Sequence, residues 1–511
     1  MKRVHILLTT ALFMSCSRTD TAPAPTPTHD SAPAPTPEPA PAPDSAPVPA
    51  QTASYLHGTI TLPGDLKLRF VVARTPEGVT LDIPDQRLVG APITDFVEDG
   101  DSLTFTFAPP GAPASALARF SATREADAAY RGTLDQGGMK LPITLTPSSE
   151  KELAKKNRPQ TPTPPFPYPT HELTVAVDGG SLACTLALPA GPGPHPAIAM
   201  RTGSGAQDRD ETLFEHRPFL VLADAFAKGG IATLRCDDRG AGASAQARQE
   251  DDLAVFADDA RRMLVTLADR PEIDRTKLGV LGHSEGGITV ATLVANDAPP
   301  IVASQGPIRP AFGITLAGPV LSGREVLVQQ NKDLVRDQGG SAEHIEVIGR
   351  TVDALFAAIG DGADDATLDE RAGALADASI AIAGPNAGQA REQLVAQHKA
   401  LAQNPWMRSF VRSHPLHDLV KSRVPVLALF GANDWQVKAE THATALREAL
   451  TTEQRVVVEI VPRTNHLFQT TETGALAEYA ELEETMSPAV LARLVTWTRT
   501  SVGLEKPSDL E

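Results

Sequence analysis

Lys277-Leu278-Gly279-Val280-Leu281-Gly282-His283-Ser284-Glu285-Gly286-Gly287, continuing into Ile288-Thr289-Val290-Ala291-Thr292-Leu293-Val294-Ala295, is the stretch whose reading decides the fold. An apolar run, a glycine-flanked serine and a second apolar run of helical length predict strand, sharp turn and helix, with G-x-S-x-G at the turn. A serine held on so tight a turn leaves no space for neighbouring Cβ atoms, which is the physical use of Gly282 and Gly286. Gly287 clears the start of the helix, where the N-terminal dipole and free N–H groups face developing negative charge. Ser284 is therefore the candidate nucleophile, and the plain alternative is a glycine-rich helix start without chemistry. His283, inside the elbow, is expected to position rather than react.

A serine nucleophile needs a base to take its proton and an acid to orient the base. In a strand–elbow–helix setting these follow in the order Ser, Asp or Glu, His. Val426-Leu427-Ala428-Leu429-Phe430-Gly431 reads as a buried strand with Asp434 in the loop at its carboxyl end. Val456-Val457-Val458-Glu459-Ile460-Val461 is the next strand, followed by Asn465-His466-Leu467-Phe468. Asp434 and His466 thus fall on the sheet edge that carries Ser284. His414 and His417 are rival bases, but they lie in a helical segment. Asp237 and Asp238 precede the serine in the chain and read as structural beside Arg239-Gly240. For an oxyanion hole, one N–H comes from Glu285, the residue after the nucleophile. The second comes from the loop Arg201-Thr202-Gly203-Ser204-Gly205-Ala206-Gln207-Asp208-Arg209-Asp210-Glu211, with Ser204 the first choice and Gly205 the alternative. A phosphate-loop reading of Gly203-Ser204-Gly205 fails, because no Gly-Lys-Ser/Thr follows it.

Outward from the elbow, strand-like apolar runs alternate with helical patterns from residue 171 to 505, which predicts a mostly parallel sheet covered on both faces. Residues 322–419 interrupt the alternation with helix alone, and Ser322-Gly323-Arg324-Glu325 has the form of a capping box. That segment is expected to be a cap over the sheet edge. Residues 55–150 alternate with period two, as in Leu66, Leu68 and Phe70 or Leu103, Phe105 and Phe107, and predict a small all-β domain of six to eight strands. Residues 151–170, rich in proline, are expected to link the two. Residues 17–54 are mostly Ala, Pro and Thr and favour an extended, semi-rigid tether.

The composition bounds the rest. Of 511 residues, 46 are Lys or Arg and 63 are Asp or Glu, a net charge of −17, which argues against nucleic acid or an anionic lipid surface as partner. Hydrophobic residues at 41% and charged residues at 21% suit a globular chain. Three cysteines, Cys16, Cys184 and Cys236, are too few for a disulfide scaffold or a Cys-rich zinc site, and neither metal nor cofactor is expected. Cys184 and Cys236 fall on or beside neighbouring strands, where a disulfide and two buried thiols are both open. Lys2 and Arg3 precede a short apolar stretch that is too brief to span a bilayer but suits a signal peptide.

Phe13-Met14-Ser15-Cys16 resembles the lipobox of bacterial lipoproteins. The resemblance implies that residues 1–16 form a lipoprotein-type leader cut just before Cys16, which is acylated and becomes the mature N-terminus, and, with Ser17 next, an outer-membrane anchor. Residues 158–502 resemble the α/β-hydrolase superfamily, and within it bacterial secreted esterases and aminopeptidase-like enzymes. The blocks that carry this are Arg158-Pro159-Gln160, Gly203–Glu211, Arg235–Gly240, Gly282–Gly287, Asn404-Pro405-Trp406-Met407 and Asn465–Gln469. Gly431, Asp434 and Val437 keep the family's acid-loop pattern, while Trp435 is bulkier than usual and bears on substrate preference. Asp82-Ile83-Pro84-Asp85-Gln86 and Gln136-Gly137-Gly138 resemble the β domain that precedes such enzymes. The resemblance implies an eight-stranded α/β-hydrolase sheet with a helical cap, hydrolysis of short-acyl carboxylic esters by Ser284, His466 and Asp434, and no metal. A serine peptidase with the same three residues, and a binding protein that has lost activity, are the competing readings. Oligomeric state is not legible.

Overall fold

The computed structural model describes residues 54–504 apart from 63–66, 77, 85–87, 109–116, 137–138, 154, 249–251, 338 and 384–390. The expected leader over 1–16, its Cys16 and the tether up to residue 53 lie outside the described residues. Two compact units divide at Lys155/Lys156.

The first unit is a single antiparallel sheet of nine strands. These are β1 (Ser54–Thr61), β2 (Lys67–Thr75), β3 (Gly78–Ile83), β4 (Leu88–Pro92), β5 (Thr94–Asp99), β6 (Ser102–Phe107), β7 (Ala118–Arg124), β8 (Tyr130–Gln136) and β9 (Met139–Ser148). Their order is β4-β3-β2-β1-β9-β8-β7-β6-β5, so the first and last members are β4 and β5. These two are consecutive in the chain and separated by Ile93 alone, so the sheet closes on itself as an up-and-down barrel. Six to eight strands were expected, and the count reaches nine because one wall strand is split at Ile93. Alternate residues fill the interior: Phe105 stacks on Phe120 at 4.2 Å, and Phe70 meets Phe120 at 5.7 Å. Gly58 is required there, since a Cβ would lie 2.1 Å from the Phe70 ring.

The second unit carries β10 (Thr170–Val177), β11 (Gly180–Ala187), β12 (His195–Arg201), α1 (Pro218–Lys228), β13 (Ala232–Cys236), α2 (Leu253–Ala268), β14 (Ile273–His283) and α3 (Gly286–Val294). A two-stranded hairpin, β15 (Ile301–Ala303) and β16 (Gly306–Ile308), precedes β17 (Phe312–Leu316). Six cap helices follow: α4 (Gly323–Asp337), α5 (Ala342–Asp361), α6 (Asp365–Ala383), α7 (Arg391–Gln403), α8 (Pro405–Val411) and α9 (Pro415–Leu419). The chain then returns through β18 (Val426–Gly431), α10 (Ala439–Ala449), β19 (Val456–Val461), α11 (Leu476–Glu481) and α12 (Pro488–Ser501).

The sheet order is β10-β11-β13-β12-β14-β17-β18-β19, with β11 antiparallel to both neighbours and every pair from β13 to β19 parallel. Its strands are apolar on both sides. Leu278, Val280, Ala428 and Phe430 pack with α2, α3 and α10, while Leu281, Leu427 and Leu429 pack with α1 and α12. In the cap, Ser322 and Glu325 form the expected box, Glu325 accepting from Ser322 N–H at 2.9 Å and its own N–H meeting Ser322 Oγ at 3.3 Å. Ile288 of α3 joins the cap's apolar cluster with Leu327, Leu355, Phe356 and Met407, which seats the cap on the elbow helix.

Residues 156–169 are not a free linker. Arg158 donates to the carbonyls of Phe214, Ala480 and Leu482, and Gln160 both donates to Met486 O and accepts from Thr485 N–H. Those side chains satisfy buried backbone groups of loops near the sheet edge, so the proline-rich segment is fixed to the second unit. Cys184 and Cys236 face each other across β11 and β13 and are joined as a disulfide.

Candidate active site

β14 ends at His283 and α3 begins at Gly286, so Ser284 and Glu285 form the turn, with Ser284 at φ of +51°. A non-glycine residue there is strained, and the surroundings must hold it. Ser284 N–H donates to Leu316 O at 2.8 Å, tying the elbow to β17. The flanking glycines are obligatory on steric grounds. A Cβ at Gly282 would lie 2.0 Å from Gly286 O, one at Gly286 would lie 2.4 Å from Arg201 O, and one at Gly287 would lie 2.7 Å from Gly318 Cα.

Asp434 follows β18 and His466 follows β19, each on a loop at the carboxyl edge of the sheet. The Asp434 carboxylate accepts Gln436 and Val437 N–H at 2.8 and 3.0 Å on one oxygen. His466 Nδ1 donates to the other at 2.7 Å, in a pair almost wholly out of water. That bond leaves Nε2 as the ring nitrogen able to take a proton. The loop is shaped by Asn465, whose side-chain oxygen accepts Leu467 and Gln469 N–H, each at 3.0 Å. Tyr479 of α11 accepts His466 N–H at 3.2 Å.

The loop after β12 is held from β13. Asp238 pairs with Arg201 at 2.9 Å and accepts Thr202 Oγ1 and Gln207 N–H, and Asp237 binds Arg209 through both oxygens. Both aspartates therefore serve the loop's shape, as their position before the nucleophile implied. Within the loop, Gly203 N–H is committed to Glu211 Oε1 at 2.7 Å. Ser204 is the next residue, and its side chain lies against the nucleophile's neighbour, with Oγ 3.3 Å from Glu285 Oε2.

Ser204, Ser284, Glu285 and His466 line one cavity of about 150 Å³, below the roughly 300–1,000 Å³ usual for small-molecule sites. Its walls are largely apolar, with Leu213, Leu327, Trp406, Phe410, Val437 and Leu467 among them. Among the described residues no Lys or Arg lines it, whereas two carboxyls, Glu211 and Glu285, do. Burial pushes the Glu285 carboxyl up to about 7, although the donors Trp406 and Ser204 and the nearby Arg201 pull the other way. Trp406 comes from cap helix α8, stacks on Phe410 and hydrogen-bonds Glu285 through its indole N–H. His414 and His417 do not line the cavity, nor does Trp435, so neither rival base nor the bulky neighbour of the acid reaches this space. Among the described residues no group of three or more His, Cys, Asp or Glu is arranged to hold a metal ion.

Two residues of this cavity had no role in the sequence reading. Glu211 was only the end of a loop motif, and its partner His283 is 72 positions away. Trp406 was part of a family block, 121 positions from Glu285.

Residues 216–355, which include the elbow and the first part of the cap, match the family described as serine aminopeptidase, S33. That match spans β13, β14, the strained elbow and β17. The second unit has the α/β-hydrolase fold. Among characterised proteins, the esterase EstD of Thermotoga maritima is 30% identical over 125 residues, which cover 24% of this chain and 29% of that protein. Among solved structures, the chain is similar to esterase 2 of Thermogutta terrifontis, at 16% identity and a TM-score of 0.38 over 68% of this chain and 98% of that one. It is also similar to a puromycin-hydrolysing peptidase of Mycobacterium tuberculosis, at 13% identity and a TM-score of 0.39 over 88% of this chain and 54% of that one.

Proposed function

We propose that this α/β-hydrolase is a serine carboxylic-ester hydrolase acting on short acyl chains through an acyl-enzyme. Ser284 Oγ attacks the ester carbonyl while His466 Nε2 takes its proton, and Asp434 holds the imidazole in that tautomer. The N–H groups of Glu285 and Ser204 receive the oxyanion, each contributing about 3–4 kcal/mol to the transition state. His466 returns the proton to the departing alcohol, and water then repeats the sequence on the acyl-enzyme to release the acid. The observation that carries the reading is the buried His466–Asp434 pair at 2.7 Å, opening on the cavity that holds the strained Ser284. The small apolar cavity supports a short acyl group.

A peptidase reading has one observation in its favour. Glu211 and Glu285 line the cavity, where a free amino terminus would meet a carboxyl. Initial rates on p-nitrophenyl esters of two to sixteen carbons, beside aminoacyl p-nitroanilides, separate the two. Ester turnover with an optimum at two to six carbons is expected. Turnover of anilides without esters would move the enzyme to the peptidases. We further propose that the chain is exported and anchored through an acylated Cys16, with a small-molecule ester as its partner. Metabolic labelling with a palmitate analogue, lost in Cys16→Ser, tests that placement.

A further inference from the structure

His283 is fully enclosed, and both its ring nitrogens face acceptors. Nδ1 lies 2.9 Å from Glu211 Oε1 and Nε2 lies 3.0 Å from the carbonyl oxygen of His466. A neutral imidazole has one N–H and can satisfy only one of these. The His466 carbonyl can only accept, so Nε2 carries hydrogen. On the other side Glu211 Oε1 already accepts Gly203 N–H at 2.7 Å, as a carboxylate does. A second proton therefore lies between Nδ1 and Oε1, and with Glu211 a carboxylate it sits on the ring.

We propose that Glu211 and His283 form a buried carboxylate–imidazolium clamp that positions the base loop and the oxyanion loop together, and that losing its proton disables the site. The clamp joins three separate segments: the loop after β12 through Gly203, the elbow through His283, and the loop after β19 through the His466 backbone. Its ring lies beside the base, with centroids 4.9 Å apart. Glu211 also stands in a left-handed conformation, with φ of +52°, and its second oxygen is buried without a partner. Both features cost free energy, which fits a carboxylate kept for its charge. Burial alone would strip the second proton from His283, yet the balance runs the other way. The Glu211 charge and hydrogen bond, the His466 carbonyl and Asp434 together hold it above the ordinary histidine range. On the elbow beside the clamp stands Glu285, which feels Arg201 and Asp238, themselves an ion pair. His466 itself must be uncharged to act.

This inference rests on the proposed serine-hydrolase reading for its kinetic half only. The test is the side-chain nitrogen spectrum of histidine-labelled whole protein between pH 6 and 10, with Glu211→Gln and His283→Gln beside it. His283 is expected to carry hydrogen on both nitrogens at pH 7 and to lose one in Glu211→Gln. In rate profiles Glu211→Gln is expected to lower kcat about 10–100-fold with KM little changed, and to bring the alkaline fall in activity to lower pH. His283→Gln can still donate to the His466 carbonyl, so it is expected to retain more activity than His283→Leu while losing the same alkaline limb. A singly protonated His283 in the wild type at pH 7 would overturn the clamp. So would a Glu211→Gln enzyme with the wild-type kcat and pH profile. Failure of the hydrolase reading would show separately, as activity surviving Ser284→Ala, because the ring's protonation is read without turnover.

Discussion

Replacing Glu285 by Gln removes the one carboxyl that sits directly beside the nucleophile, while keeping its shape and its backbone N–H. The side chain is only 5% exposed, and burial pushes its carboxyl from 4.5 up to about 7. At about 1.36 kcal/mol for each tenfold change in proton affinity, that rise amounts to about 3 kcal/mol. The sign follows from the proton count. In the unfolded chain this group ionises near its ordinary value, and in the folded chain it stays protonated until about 7. Between those values the folded state binds more protons, so this group lowers stability as pH rises through the window and costs its full amount above about 7. Gln cannot ionise and can still accept the Trp406 indole N–H. The stability of Glu285→Gln relative to wild type should therefore improve by about 3 kcal/mol between pH 4.5 and pH 8. Urea unfolding at the two pH values measures it, as a shift in midpoint at constant m-value. The chain's three tryptophans, Trp406, Trp435 and Trp497, all lie in the second unit, so their fluorescence follows that unit alone. A difference between variant and wild type that is the same at both pH values, or that shrinks toward pH 8, would refute the reasoning.

Asp434→Asn should leave the loop in place but favour the wrong imidazole tautomer, lowering kcat about 10⁴-fold, as steady-state rates on a short-chain ester would show. Reducing the Cys184–Cys236 disulfide, which spans 52 positions, should cost the second unit up to about 4 kcal/mol by the loop-entropy estimate, read as a lower Tm in reductant. His442 Nδ1 accepts Val320 N–H, and burial holds its pKa down to about 4. Its folded value lies below its unfolded one, so stability should be lost as pH falls from about 6.5 to 4. His442→Gln should flatten that part of the urea-midpoint profile.

The candidate triad could be read from sequence because each member stands at the carboxyl end of an apolar strand. Strand pattern is local, and Ser284, Asp434 and His466 inherit their common edge from the parallel sheet. The cap was legible for the same reason, through helical spacing and the Ser322–Glu325 box. What escaped was long-range satisfaction of polar groups. Nothing local to Glu211 says that it neutralises a histidine 72 positions on, and nothing local to Trp406 says that its indole N–H ends on Glu285. The segment around Arg158 looked like a linker because prolines dominate it, yet three side chains between them, Lys156, Arg158 and Gln160, fix it to the second unit. Barrel closure was hidden for another reason. Ile93 breaks one strand into two, and only the pairing of β4 with β3 and of β5 with β6 shows that they are a single wall.

The central claim is that Ser284 is the nucleophile. Incubating the full chain with a fluorophosphonate, then mapping the adduct by mass spectrometry and assaying p-nitrophenyl butyrate hydrolysis, tests it directly. The account predicts one phosphonyl group on Ser284, loss of activity in step with labelling, and neither label nor ester turnover in Ser284→Ala. Label on another residue, or a Ser284→Ala protein that hydrolyses the ester at the wild-type rate, would contradict it.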